Sequence, residues 1–354
     1  MVAWLLALGG TASLPGGWSS PLWHGHEMLF GFVATAIAGF LLTSVPVWTD
    51  TDRVDGLPLA GLLAAWVAGR AALWCAGLLP GWLVASLDVV FLPLLACAIG
   101  LPIWRTGNRR NYKIVGALLA LAAANVALHV AVLRDDPPAA RRCLQLALYA
   151  VLLLLVIISG RIVPLFTHNA LHRRGILAPV ASSAAVERAL IPVLGAAIAL
   201  ALLREGSAAA GVASLLCGLL LGLRQARWQP HRTLDQPLLW VLHVGHAWLA
   251  VGFVCSGVAV LIPSFPASSA VHALSAGAIG TAIIGVMSRV ALGHTGRPLQ
   301  ARRPSLGLPR FRRHVHYAVR PGLSGPLPSS IKIGGSGAEP PRAPFFSSNS
   351  SGLR

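Results

Sequence analysis

The residues best suited to chemistry are histidines set within or beside long apolar runs. His24 and His26 stand in Pro-Leu-Trp-His-Gly-His-Glu-Met. Gly25 between them lets the backbone turn both rings toward one point, provided the segment is not yet helical. On a continuous helix the two would diverge by about 200°, whereas His24 and Glu27 share a face either way. His129 lies near the end of a later apolar run and His272 at the start of another. Alternating the runs across a membrane puts these four histidines at similar depth on one side. Neutral imidazole is a ligand for iron, copper and zinc, and axial ligation of haem needs two rings facing across a gap between helices. The competing reading, helix-end histidines bonded to backbone or interfacial water, stays open at this point.

A second pair, His243 and His246, sits three residues apart in Leu-His-Val-Gly-His-Ala-Trp and shares one helix face. It can ligate a second metal or hydrogen-bond between helices beside Gly245. Arg70 falls inside an apolar run, where it can pair with Asp88, Glu27 or a haem propionate, or snorkel to the interface. An ionisable group in a span costs roughly 3 kcal/mol on insertion scales, so each such residue is a candidate for function. Arg161 and Arg289 close helix ends, where anchoring is their ordinary role. His168, His172, His231, His314 and His316 read as loop or tail residues in water.

The elements that position these groups are apolar helices. Only 11% of the 354 residues are charged, against roughly 25% in a soluble domain, and 55% are hydrophobic. Runs of about 20 apolar residues, each long enough to cross a roughly 30 Å hydrocarbon core, fall at 27–48, 57–76, 82–104, 114–133, 142–159, 180–203, 208–223, 237–262 and 269–292. The expected fold is therefore all-α: a polytopic transmembrane bundle of nine full spans over residues 1–300, preceded by a partial first helix. Lys and Arg in alternate loops divide 15 against 4, which puts the richer set, and the C-terminal segment, on the cytoplasmic side and His24 and His26 on the other.

The net charge of +17 does not describe a nucleic-acid-binding face, because it lies in the loops and in residues 301–354, which hold nine Lys/Arg and one acid, Glu339. That Pro/Gly/Ser-rich segment is expected to be disordered. It reads either as a polybasic tail drawn to anionic lipid or as out-of-frame sequence in place of a membrane segment. The five cysteines stand singly on separate spans, without C-x-x-C or C-x-x-C-H, so neither a disulfide framework nor covalent haem attachment is expected. No G-x-x-x-x-G-K-[ST], G-x-S-x-G or H-E-x-x-H occurs, which removes phosphate-loop, α/β-hydrolase and zincin chemistry.

Three segments resemble the NnrS family. They are Trp-His-Gly-His-Glu-Met-Leu-Phe-Gly-Phe with Ala-Gly-Phe-Leu-Leu-Thr, then Gly-Arg-Ile-Val-Pro-Leu-Phe-Thr-His-Asn-Ala-Leu, and His-Ala-Leu-Ser-Ala-Gly-Ala-Ile-Gly-Thr through Arg-Val-Ala-Leu-Gly-His-Thr-Gly-Arg-Pro-Leu. The resemblance runs from about residue 20 to 300 and implies a multi-pass protein of the bacterial inner membrane. It also implies haem b, held noncovalently, and copper, with a role in the response to nitric oxide in denitrifying and related bacteria. Nitric oxide is then the expected small-molecule ligand and the bilayer the expected partner. Whether the family turns nitric oxide over is left open, as are an electron donor and a homo-oligomer.

By motif position the resemblance singles out His24, His26 and Glu27, then Arg161, then His272, Arg289 and His294. Asn125 with His129, and His243, match more loosely. Together these observations make His24, His26, His129, His243 and His272 the candidate metal ligands. Glu27, Arg70, Asn125, Arg161, Arg289 and His294 are the candidate polar residues of a haem pocket or of the frame. Relative to the family, the first helix is short and a final pair of spans is absent after Pro298. Two other readings accompany this one: a small-molecule or metal-ion transporter, and a truncated or frameshifted product without function.

Overall fold

The structure, a computed structural model, describes Gly9, Gly16 and residues 18–295, without the side chain of His294. The expected tail, 301–354, and the N-terminal apolar stump lie outside the described residues. Nine helices among the described residues are long and apolar enough to cross a membrane: α1 Ser20–Thr49, α2 Gly56–Trp74, α3 Gly81–Arg105, α4 Arg109–Leu133, α5 Pro137–His172, α6 Ala184–Leu203, α7 Ala208–Ala226, α8 Pro237–Leu261 and α9 Ala267–Gly293. No strand occurs among these residues, so the all-α, nine-span reading holds.

Apolar side chains line the outside as well as the inside. Leu63, Leu119, Leu219 and Val251 are exposed, while Leu41, Leu95, Leu118 and Leu152 are fully buried. An apolar exterior on this scale suits lipid rather than water. Short turns fix the helix ends. The Asp136 side chain accepts from Ala139 N at 3.0 Å and Ser207 Oγ from Ala210 N at 3.2 Å, each satisfying an otherwise free amide of the first turn. Asp50 closes α1 in the left-handed region at φ 52°.

The bundle is built of consecutive antiparallel neighbours, with α3 against both α1 and α2, α4 against α3 and α5, α7 against α6 and α8, and α9 against α8. Helix α5 joins the two halves, touching α1 and α4 on one side and α6, α8 and α9 on the other. The closest approach of α7 and α8 uses glycine: a Cβ on Gly257 would stand 2.7 Å from the Gly211 carbonyl oxygen. Small residues let helix backbones meet in lipid, where there is no hydrophobic force between helices to draw on.

Two boundaries differ most from expectation. Helix α5 does not stop at 159 but runs 36 residues to His172, about 54 Å at 1.5 Å per residue, well past the hydrocarbon core. His168 and His172 are therefore helical rather than loop residues, and Arg161 lies inside the helix rather than at its end. The run read from the sequence ends near Gly160, but the helix does not. Pro164, which lacks an N–H, sits opposite the Gly160 carbonyl, and Thr167 Oγ1 bonds back to Val163 O at 2.8 Å. The second difference is at α1, which begins at Ser20 with proline in its first turn, seven residues before the expected start.

Candidate metal centre

Four antiparallel spans in succession bring the start of α1, the end of α2, the start of α3 and the end of α4 to one face of the bundle. His26, Arg70, Asp88 and His129 occupy these positions. Asp88 is the hub, with its side chain wholly buried. Its Oδ2 lies 3.1 Å from His26 Nε2, 2.9 Å from His129 Nε2, and 2.9 Å from Asn125 Nδ2, which donates to it. Arg70 takes the other oxygen, Oδ1, and also reaches Glu27 Oε1. Glu27 Oε1 in turn lies 3.3 Å from His26 Nδ1. Asn125 Oδ1 is 3.3 Å from His26 Nε2.

Close approach of α2 to α3 makes this arrangement possible. A Cβ on Gly69 would stand 2.9 Å from Asp88 Cα, so the residue beside Arg70 must be glycine for the two helices to meet here. Trp18 covers the cluster, its ring centroid 5.2 Å from that of His26 and 5.7 Å from that of His129, and Phe30 packs 5.0 Å from His26. His26, Asp88, Asn125 and His129 are buried, and the charges here depend on one another for solvation.

The arrangement has two chemical properties. First, His26, Asp88 and His129 each offer a ligand atom within 4.8 Å of the other two, a spacing that a single metal ion can span. Second, one guanidinium faces two carboxylates, so with neutral imidazoles the cluster carries one excess negative charge and accommodates one further cation. The Glu27 contact to His26 Nδ1 matches the usual outer partner of a metal-binding imidazole, which holds the ring while the other nitrogen binds.

The expected ligands divide among three places. His26 and His129 are brought together, with Glu27, Arg70 and Asn125 around them. His24 and His272 are not part of this cluster. The helical start of α1 turns His24 away from His26, and Gly25 packs inside the helix against Leu144 of α5 rather than forming a turn. The convergence of His24 with His26 expected from sequence is thereby corrected. His272 is exposed, its Nδ1 2.7 Å from Ser268 O one turn back. His243 lies at the opposite end of the bundle, near the start of α8.

The remaining expected residues serve the frame. Arg161 donates to Asn111 Oδ1 at 2.5 Å and Arg110 O at 2.9 Å, tying α5 to the start of α4. Arg289 stacks 4.3 Å over the Phe166 ring and donates to Leu238 O at 3.3 Å, tying α9 to α5 and α8. His294 has no described side chain. Sequence reasoning named Asp88 only as a partner for Arg70 and did not name Trp18. An acid deep in an apolar run was the available signal for Asp88; nothing local marks Trp18.

No curated protein and no solved structure matches this chain. A family model described as NnrS protein matches residues 1–308, beyond the 20–300 stretch over which the motifs were recognised, and the chain belongs to the NnrS family.

Proposed function

We propose that this chain is a metal protein of the bacterial inner membrane that acts in the response to nitric oxide, with copper held by His26, Asp88 and His129. The observation that carries the reading is the convergence of three nitrogen groups on one buried Asp88 oxygen, with room in the charge balance for one cation. Two imidazoles and a carboxylate make a donor set suited to copper. Membership of the NnrS family supports the link to nitric oxide. When bound, copper supplies a redox-active Lewis acid able to hold a diatomic ligand. His26 and His129 supply the nitrogens, Glu27 fixes the His26 ring, and Arg70 with Asn125 holds the Asp88 carboxylate in place. Trp18 and Phe30 keep water from the cluster.

Haem b, the other cofactor of the family reading, does not fit this set of residues. The His26 and His129 rings have centroids 5.4 Å apart and turn to the same carboxylate oxygen, leaving no slot for a planar macrocycle between them. Haem would need histidines outside the cluster. The positive loops favour a cytoplasmic location for the Arg161 and Arg289 end, and with it a periplasmic position for the proposed metal centre.

The test is metal analysis with a reduced-minus-oxidised absorbance spectrum on the full chain purified in detergent, with and without nitric oxide. Copper that disappears in His26→Ala and His129→Ala, with a spectrum that responds to nitric oxide, is the expected result. Equal copper in the wild type and both variants would sink the assignment. Transport of a solute by proteoliposomes free of bound metal would favour the transporter reading instead.

A further inference from the structure

At the end of the bundle opposite the Asp88 centre, α4 begins, α5 passes Gly160, α6 begins and α7 ends. Four cations gather there from three of these helices: Arg110 and Lys113 from α4, Arg161 from α5 and Arg224 from α7. Contacts fix their places. Arg161 donates to the Arg110 carbonyl at 2.9 Å and to Asn111 Oδ1 at 2.5 Å, so its guanidinium lies on the first turn of α4. The Arg224 guanidinium lies against Gly160, the residue before Arg161, where any Cβ would collide with it. It also donates to Val156 O at 3.1 Å. Lys113, in the next turn of α4, feels the charges of Arg161, Arg110 and Arg224, and against them that of one acid, Glu187.

Glu187 is already engaged. It accepts from Arg224 through two bonds of 2.6 and 2.8 Å, and those two charges answer each other. Among the described residues Arg110, Lys113 and Arg161 form no ion pair, which leaves three positive charges together without an acid. Arg110 and Lys113 are exposed and Arg161 is half-buried. Arg161 uses two of its five N–H groups on α4, so its planar fork still has donors to offer.

The surroundings place this cluster at headgroup level. Trp104, 69% exposed at the end of α3, and Tyr112, 42% exposed at the start of α4, are the amphipathic rings that mark a membrane–water boundary. Leu119, two turns deeper on the Tyr112 face of α4, is exposed as well. Like charges at the edge of a low-dielectric slab repel one another more strongly than in water, and an anion among them relieves that repulsion.

We infer that Arg110, Lys113 and Arg161 form a site for the headgroup of one anionic phospholipid, seated where α5 crosses the start of α4, with its acyl chains along the exposed face of α4. The Arg161 fork suits a phosphodiester, and Lys113 adds a point charge. A zwitterionic headgroup brings its own cation to three others and fits less well. Simple anchoring needs basic residues only somewhere in the loops. Here Arg161 is instead held in the seam between two helices, with Arg224 packed behind it. The positive loops favour a cytoplasmic location for this end, where anionic lipid attracts basic residues near the surface.

The test uses the full chain in mixed micelles of phosphatidylglycerol and phosphatidylcholine in equal amounts, with the lipid retained after detergent washing counted by native mass spectrometry. Wild type should retain one phosphatidylglycerol in preference to phosphatidylcholine. Lys113→Gln should weaken retention about fivefold, the worth of one basic residue at a charged surface, and Lys113→Gln/Arg161→Gln should abolish it. Arg232→Gln, an equal change of charge at an exposed position of the same end, should leave it unchanged. No preference over phosphatidylcholine, or full retention in Lys113→Gln, overturns the site. An equal loss in Arg232→Gln also overturns it, since net charge alone would then hold the lipid. Displacement of the lipid by millimolar inorganic phosphate overturns the lipid as occupant and leaves a site for a free anion. Lys113 is exposed and bonds to no described side chain, so its single variant decides the matter should the Arg161 variant fail to fold.

Discussion

His129 Nε2 and Asp88 Oδ2 lie 2.9 Å apart, although 41 residues separate them in sequence and each belongs to a different span. The contact exists because α3 enters the membrane where α4 leaves it. The Asp88 side chain is fully buried and serves Arg70, Asn125 and two histidines at once. Asp88→Asn removes the charge but keeps the shape. It should leave Arg70 paired with Glu27 alone, take a charged acceptor from Asn125 and the two imidazoles, and lower stability by about 1–3 kcal/mol, the usual cost of unsatisfied buried polar groups. Thermal unfolding in detergent measures the loss, and metal retention should fall with it. A stable Asp88→Asn chain with full metal content would show that the carboxylate is neither ligand nor hub.

The proposed metal ligands are separable by substitution. His26→Ala and His129→Ala should each lower bound metal strongly, whereas His24→Ala and His272→Ala should lower it little, since the structure leaves those two outside the cluster. Metal per mole of purified chain is the readout. An effect of His24→Ala as large as that of His26→Ala would mean that α1 starts later, restoring the convergence that a non-helical Gly25 allows.

The outline of the fold was legible because the bilayer imposes a length on every span. It prescribes about 20 apolar residues and nothing about where a helix ends beyond the hydrocarbon, which is why α5 was expected to stop thirteen residues before His172. The pairing of Arg70 with Glu27 or Asp88 was also legible, since an intramembrane guanidinium must find a carboxylate. The common face of His243 and His246 follows from their spacing. Their partners Ser159 and Thr167 did not stand out, because single hydroxyls on apolar helices usually bond to their own backbone and carry no sign of a distant imidazole. At His24 and His26 the proline at position 21 was the available evidence for an earlier helix start.

Gly69 offers a test of the frame without touching any group of the centre. Its Cβ in Gly69→Ala would meet Asp88 Cα at 2.9 Å, a backbone contact that no rotamer relieves. Helix α2 must then move away from α3, at a cost of about 1–3 kcal/mol, and Arg70 moves with it. Weakened metal binding in a chain that remains folded is the expected outcome. Unchanged affinity would show that the distance between α2 and α3 does not set the geometry of the centre.

Charge balance gives the last prediction. Arg70 is the one guanidinium against Glu27 and Asp88, so Arg70→Met leaves two carboxylates without a cation and should be among the most damaging changes in the bundle. Arg70→Lys should recover only part of the loss, because one ammonium lacks the planar fork that reaches Glu27 and Asp88 together. If the damage comes from uncompensated charge, Glu27→Gln added to Arg70→Met should restore stability, returning the cluster to one net negative charge. The double-mutant cycle measures this directly: a second change that stabilises the first is strong coupling, on the order of 1–3 kcal/mol. Simple additivity of two losses would show instead that Arg70 acts through packing, and that the cluster does not hold the excess negative charge on which the metal reading depends.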